Sequence, residues 1–375
     1  MTVDNSTGAN VRADINSALQ ALATNSSGSS APSTNFASQF FANTTSSIMQ
    51  LRNTANNAHI NLFSLAGAPA FPLDGTINSI NIGKGANSVA GNTVLGESAL
   101  DASVSGGNNT AIGKDALTAL TSGSSNVAVG SFALDANTAA SNNTSLGHVS
   151  LSANTTGGEN TAVGSQALKN NTTASSNTAV GQAALLENTT GANNVAVGAL
   201  ALDANTTASN NTALGYNSLS ANTTGDKNTS VGANSLDVNT TGRLNTAMGQ
   251  DALGANTTAD NNTAYGQASL RANTTGTENT GVGSSALFAN TTASNNTAVG
   301  FVALLSNTTG ADQVAVGRKA LQDNTTGGSN TAVGVNALQN NTTASFNTAV
   351  GNSALDQNTT GDANTAVGQG SLQNT

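Results

Sequence analysis

A 17-residue unit recurs from residue 92 to residue 375, and one copy reads Asn160-Thr161-Ala162-Val163-Gly164-Ser165-Gln166-Ala167-Leu168-Lys169-Asn170-Asn171-Thr172-Thr173-Ala174-Ser175-Ser176. Glycine stands at every seventeenth residue from Gly96 to Gly368, which defines 17 copies in register. We call these residues the repeat glycines. Leucine follows each repeat glycine after four residues, from Leu100 to Leu372. Such short, uninterrupted repeats predict a solenoid in which each unit forms one coil.

The three residues before each repeat glycine have the composition of a short β-strand. The first is Thr, replaced only by Val127, Val195 and Val314, and the second is nearly always small. The third is apolar, with Met248 and Tyr265 as the unusual members. In a strand, the first and third residues share one face and the small residue lies on the other. The small face predicts close approach of another backbone, and the glycine predicts a bend.

Two asparagines per unit predict stacked side-chain ladders. One opens every unit except the copy with Gln313, and the other stands seven residues after each repeat glycine from Asn137 to Asn358. Identical stacked Asn side chains can hydrogen-bond from coil to coil. The Asn-Thr-Thr triplets also match glycosylation sequons, but ladders account for them without secretion. The position held by Gly157 and Ala174 accepts a Cβ, so it does not demand a positive φ.

A helical solenoid is excluded, because its repeats need roughly 33 to 47 residues for two helices. At about 4.8 Å per coil, the 17 units predict a β-rod on the order of 80 Å long. Each coil holds one Leu, one Val-like residue and a few Ala, too little core for a lone rod. We therefore expect a homotrimeric parallel β-roll or β-solenoid. Its predicted repeat core includes Val163, Leu168, Val180, Leu185, Val197 and Leu202, with bends at Gly164, Gly181 and Gly198.

The segment before the repeats predicts a small α+β attachment region. Residues 1–30 contain a predicted helix over residues 10–24, followed by a linker, Asn25–Ser30. Residues 31–75 predict a β-meander, and residues 76–91 a transition coil beginning at Ile80 that leads into the shaft, residues 92–375. The helix would pack through Val11, Ile15, Leu19 and Leu22. The strand-like runs of the meander are Phe36–Ala42, Ile48–Arg52 and His59–Phe63.

Composition argues against most functional classes. Only 8% of residues are charged and 3% aromatic, with no Cys and no Trp, whereas globular enzymes carry about 25% charged residues. The net charge of −9 with ten basic residues spread along the chain argues against nucleic-acid binding. No apolar run approaches the ~18 residues of a membrane span. The N-terminus has no signal-peptide pattern, so we expect synthesis in a cytoplasm without export by that route.

The repeat resembles arrays common in phage tail-fibre proteins. It is also similar to the Asn-Ser-Val-Ala-Ile-Gly repeats of trimeric autotransporter adhesin heads, which are trimers of left-handed parallel β-rolls. The N-terminal segments Arg12–Leu22, Phe40–Thr45 and Leu51–Asn56 look like the start of tail-fibre proteins of phages that infect aquatic bacteria. The resemblance implies a virion fibre. The missing signal peptide favours that family over autotransporters.

No residues suggest catalysis, a cofactor or a metal, and we expect no enzyme. His59 and His148 are far apart, and His148 occupies a variable position. Asp stands five residues after some repeat glycines, but Lys169 and Phe288 fill the same position elsewhere. A polysaccharide-cleaving tailspike would need paired carboxylates near aromatic platforms, and calcium nonapeptide repeats need a fixed Asp. Ice binding by the Thr-Thr ladders stays an alternative.

The function expected from the sequence is that of a structural virion fibre. The shaft would associate with itself as a homotrimer, and the N-terminal region would attach to a tail or baseplate protein. A host surface glycan or protein would be its target, with no nucleic acid and no membrane insertion. Its location would be the virion. A bacterial autotransporter-like adhesin and a purely architectural spacer or decoration fibre are the alternatives.

Overall fold

The fold is taken from a computed structural model that describes residues 27–28, 40–43, 48–52, 59–64, 74–77 and 80–373. The chain divides into two compact units, residues 1–77 and residues 78–375. The predicted helix over residues 10–24, with Val11, Ile15, Leu19 and Leu22, lies outside the described residues.

The first unit contains a four-stranded sheet. Its strands are β1 (Ser27–Gly28), β2 (Phe40–Asn43), β3 (Ile48–Arg52) and β4 (His59–Ser64), in that spatial order, and β5 (Asp74–Ile77) follows in the chain. Strands β2, β3 and β4 pair antiparallel, whereas β1 pairs parallel to β2. The three runs predicted for a meander overlap β2, β3 and β4. Strand β1 falls inside the segment predicted as a linker, because backbone pairing with β2 needs no particular side chains.

The second unit begins with a strand that runs against the others. Strand β6 (Ile80–Gly83) pairs antiparallel with β7 (Thr93–Gly96), and a short 3₁₀ helix, η1 (Ala86–Ser88), connects them. Within the predicted transition segment, the chain thus covers the edge of β7 with a reversed strand. A covered edge is one of the ways in which proteins protect the open side of a sheet.

Every later coil contributes one parallel strand. Consecutive strands pair in an unbroken register of 17 residues, as in Thr161↔Thr178, Ala162↔Ala179 and Val163↔Val180. The strands of this ladder are β7, β8 (Thr110–Ile112), β9 (Val127–Val129), β10 (Thr144–Leu146), β11 (Thr161–Val163), β12 (Thr178–Val180), β13 (Val195–Val197), β14 (Thr212–Leu214), β15 (Thr229–Val231), β16 (Thr246–Met248), β17 (Thr263–Tyr265), β18 (Thr280–Val282), β19 (Thr297–Val299), β20 (Val314–Val316), β21 (Thr331–Val333), β22 (Thr348–Val350) and β23 (Thr365–Val367).

The predicted parallel β-solenoid of 17-residue coils is therefore confirmed. The residues that the structure describes include no α-helix. Each coil after the first has one three-residue strand, and the rest of the coil consists of turns and bends. Those turns are also bonded from coil to coil, since the Leu168 N–H donates to the Ala184 carbonyl oxygen at 3.0 Å.

The core is built from Leu and Ala. Leu168 and its equivalents from Leu100 to Leu355 are fully buried, as are Ala162 in the strand and Ala167 beside the leucine. Each leucine also adopts a left-handed backbone, with φ of 50° at Leu168. That conformation costs about 1–2 kcal/mol for an L-residue, whereas burying a leucine contributes about 1.5–3 kcal/mol. Burial outweighs the strain, so leucine holds a position where Gly or Asn would fit the backbone more easily.

Candidate functional surface

The interior of the solenoid contains two columns of buried asparagine. In the first column, formed by the residue that opens each unit, the Asn143 backbone N–H donates to Asn126 Oδ1 at 3.0 Å. The Asn143 side-chain Nδ2 donates to the Gly157 carbonyl oxygen at 3.0 Å. In most coils one amide both closes the coil and joins it to its neighbour, whereas the Nδ2 atoms of Asn211, Asn296 and Asn347 have no partner.

The second column lies seven residues after each repeat glycine. Asn171 Nδ2 donates to Asn154 Oδ1 at 2.8 Å and to the Ala174 carbonyl oxygen at 3.0 Å. Asn188 Nδ2 in turn donates to Asn171 Oδ1 at 2.9 Å. These asparagines of the Asn-Thr-Thr triplets are buried, so in the folded chain they hold coils together and are not accessible for glycosylation.

Where serine enters the alanine core, it finds a partner. Ser145, in a strand, lies 2.5 Å from the hydroxyl of Ser150 and donates to the Ser150 carbonyl oxygen at 2.8 Å. Ser230 forms a similar pair with Ser235, and Ser218 of the preceding coil donates to Ser230 at 2.8 Å. A buried hydroxyl without a partner would cost about 1–3 kcal/mol, which accounts for the clustering of these serines.

The repeat glycines allow the coils to stack closely. Gly164, Gly181 and Gly198 have φ of 135°, 140° and 138°. A Cβ on Gly164 would lie within 3.0 Å of the Gly181 carbonyl group of the next coil. Both the backbone conformation and the lack of space therefore require glycine at these bends.

The strand ladder presents two rows of side chains outward. We name the residues three before each repeat glycine, Thr93 to Thr365, the threonine row. The residues directly before each repeat glycine, Leu95 to Val367, form the apolar row. Together they make up the outer strand face, because in each strand the middle residue is buried and the residues on both sides of it are not.

The apolar row is the most prominent surface feature of the second unit. It contains only Leu, Ile, Val, Met and Tyr, without a charged or strongly polar residue in 17 coils. Several members are well exposed, among them Leu214 at 47% and Tyr265 at 55%. A row about 80 Å long and about 5 Å wide covers roughly 400 Å², comparable to the largest apolar patches of monomeric proteins. An apolar patch of this size is often functional.

The residues predicted for the repeat core lie in two different places. Leu168, Leu185 and Leu202 are fully buried. Val163, Val180 and Val197 are half-buried and belong to the apolar row on the outside, and the inward residue of these three strands is alanine. In the sequence, the small size of the middle strand residue was the signal that its side chain lies inside, because the space between strand and leucine is narrow.

A third surface consists of threonines on a turn away from the strands. The first Thr of each Asn-Thr-Thr triplet from Thr155 to Thr342 donates its hydroxyl to the next coil, as Thr172 Oγ1 does to the Thr189 carbonyl oxygen at 3.1 Å. The second Thr is exposed in every coil from Thr156 to Thr360. This outer row is regular but one side chain wide.

The ionisable groups of the described residues form no cluster of the kind that holds a metal ion. His148 is exposed beside Gly147, and His59 lies in β4. The aspartates five residues after a repeat glycine are half-buried at Asp135, Asp203 and Asp237, where burial raises the pKa of each carboxyl above its ordinary value. The Oδ1 atoms of Asp135 and Asp203 are buried without a hydrogen-bond partner. These groups are isolated along the rod and do not converge on a common point.

No protein-family model matches the chain, and no curated protein matches it. Within the part of the chain that the structure describes, no helix has the length and apolar character needed to cross a membrane. The outer strand face is consequently the feature from which a function can be argued.

Proposed function

We propose that this protein is a structural fibre in which three identical chains associate through their outer strand faces to form a stiff shaft. The observation that carries the proposal is the apolar row, which runs unbroken along 17 coils on the outside of the single chain. Burial of apolar surface contributes about 25 cal/mol per Å², so covering this row would stabilise a slender rod appreciably.

Association of three chains would also compensate for the small hydrophobic core of each coil. Each coil buries one leucine and a few alanines, a small core for 17 ordered residues. Parallel association in register repeats the same contact at every coil, so a modest contribution per coil adds up along the rod. Three-fold rather than two-fold association is supported by the resemblance of the repeat to trimeric adhesin heads. It is also compatible with the closed cyclic symmetry that most homo-oligomers adopt.

The biological setting of the proposal is the virion of a phage. The first unit, residues 1–77, would attach the fibre to a tail or baseplate protein, and the shaft would project toward the host cell surface. The support is the resemblance of the N-terminal segments and of the repeat to tail-fibre proteins. The uniform size of the coils, with no insertion to form a lateral domain within the repeats, suits a shaft.

The experiment has two parts. Sedimentation equilibrium of the purified full chain should give three times the monomer mass of 36.6 kDa. A variant lacking residues 1–77 should keep that stoichiometry but fail to incorporate into particles. A monomeric full chain would refute the shaft, and normal incorporation of the shortened variant would refute the attachment role of the first unit.

Ice binding is a second candidate, favoured by the exposed second threonines of the Asn-Thr-Thr triplets, Thr156 to Thr360. Threonines repeated at roughly the 4.8 Å strand spacing expose methyl and hydroxyl groups at regular intervals. A thermal hysteresis assay on the purified protein separates the two functions. Measurable hysteresis that disappears when several of these threonines are replaced by Lys would favour ice binding, whereas a trimer without hysteresis would favour the fibre.

A further inference from the structure

The two rows of the outer strand face differ in the side chains that they accept. The threonine row contains only Thr and Val, which have the same branched outline, in all 17 copies. The apolar row, on the same strands and the same face, ranges from Val to Leu, Ile, Met248 and Tyr265. One row is thus restricted in side-chain size and the other is not.

Hydrogen bonding does not explain this restriction. The side-chain hydroxyl of Thr161 and those of the other strand threonines have no hydrogen-bond partner among the described residues, unlike the hydroxyl of Thr172. Valine replaces threonine in three copies without any change in strand register. What the two residues share is shape, so shape is the property on which the position depends.

Packing within the chain does not explain the restriction either. Val127, Val195 and Val314 in the threonine row are 38%, 39% and 37% exposed. A site this open in the single chain has room for a larger side chain. Strand propensity alone would also admit Ile, Tyr and Phe, and the neighbouring row shows that larger residues suit these strands. The limit on size therefore comes from outside the chain.

We infer that the threonine row is the close-contact line between neighbouring copies, and that the apolar row lines a roomier space around the shared axis. This inference rests on the proposed trimer. A face of two rows, about 80 Å long and roughly 10 Å wide, offers about 800 Å² per copy, which is the usual contribution of one partner to a stable interface. A close interface limits side-chain volume, whereas a space around an axis can hold both Val and Tyr.

The test compares enlargement of the two rows in the same two coils of the full chain. One variant carries Thr161→Leu and Thr178→Leu, and its matched control carries Val163→Leu and Val180→Leu. Leucine already occurs in the apolar row at Leu95, Leu146 and Leu214. The trimer population is measured by sedimentation velocity across a urea series, with circular dichroism to follow the fold of the chain.

We expect the threonine-row variant to dissociate at lower urea than the wild type, and the apolar-row variant to dissociate near the wild-type midpoint. A further variant that carries both Thr161→Val and Thr178→Val should dissociate at the wild-type urea midpoint. If the leucine substitutions in the threonine row prevent folding, Thr161→Ala with Thr178→Ala replaces them and should also lower the midpoint through lost contact.

The outcomes separate this inference from the proposal on which it rests. A monomeric wild type would overturn the trimer itself. A trimeric wild type in which the threonine-row substitutions leave the midpoint unchanged, or in which the apolar-row control shifts it equally, would overturn the inference alone.

Discussion

At the residue scale, the fold depends on matching between neighbouring coils. The alanine core accepts serine or glycine only where a nearby position compensates. Ser269 Oγ donates to the Gly281 carbonyl oxygen at 2.9 Å, and a Cβ on Gly281 would lie 2.5 Å from that hydroxyl. Among strands β7–β23, only β18 has a glycine, Gly281, as its inward residue. Its small size makes room for Ser269.

This pair gives a double-mutant prediction. Gly281→Ala should lower the free energy of unfolding by about 1–3 kcal/mol, because it overpacks a filled core. In a Ser269→Ala background the same change should be neutral or stabilising, since alanine at both positions is the usual arrangement in the other coils. Urea denaturation of the four chains measures the coupling. Additive effects of the two substitutions would contradict the proposed contact.

At the element scale, the asparagine columns bond each coil to the next. Net hydrogen bonds contribute only about 0.5–1.5 kcal/mol each, but a buried amide left unpaired costs about 1–3 kcal/mol. A column is therefore sensitive to any break in its spacing. Gln313 is the one member of the first column, from Asn92 to Asn364, that is not asparagine. Its Nε2 donates to the Gly327 carbonyl oxygen. Asn296 Nδ2 in the preceding coil has no partner, as is also the case for Asn211 Nδ2 and Asn347 Nδ2 of the same column.

Gln313→Asn should stabilise the solenoid by about 1 kcal/mol, because it removes one methylene from a buried site spaced for asparagine. The reverse change in an undisturbed coil, Asn279→Gln, is the matched control and should destabilise it by a similar amount. Chemical denaturation compares both variants with the wild type. Equal stability of the wild type and Gln313→Asn would show that the column adapts to glutamine without cost.

At the scale of the whole molecule, half-buried carboxylates make stability depend on pH. Burial, with a smaller contribution from Glu187, raises the pKa of Asp203 above its ordinary value of 3.8. The folded state thus binds this proton more tightly than the unfolded state does. The resulting stabilisation is complete below pH 3.8 and is lost as the pH rises through the folded-state pKa.

Asp203→Asn should therefore raise the free energy of unfolding at pH 7, and its advantage over the wild type should shrink as the pH falls toward 3.8. The Asn side chain of this variant is uncharged at every pH in the series. Glu278→Gln, at an exposed site, removes a charge of the same sign and serves as the control. Urea denaturation at a series of pH values provides the measurement. A difference between Asp203→Asn and wild type that does not vary with pH would argue against burial of the charged group.

The sequence alone determined the solenoid, the coil length and the register, because units of identical length stack identical residues above one another. It also indicated both asparagine columns and the bends at the repeat glycines. Which face of each strand is inside was decided only by the tertiary structure. Alternation over three residues, as in Thr161-Ala162-Val163, separates two faces without saying which one is enclosed. Closure of the coil settles that question, because the interior holds the middle residue of each strand, usually alanine, and leaves the valine that follows outside.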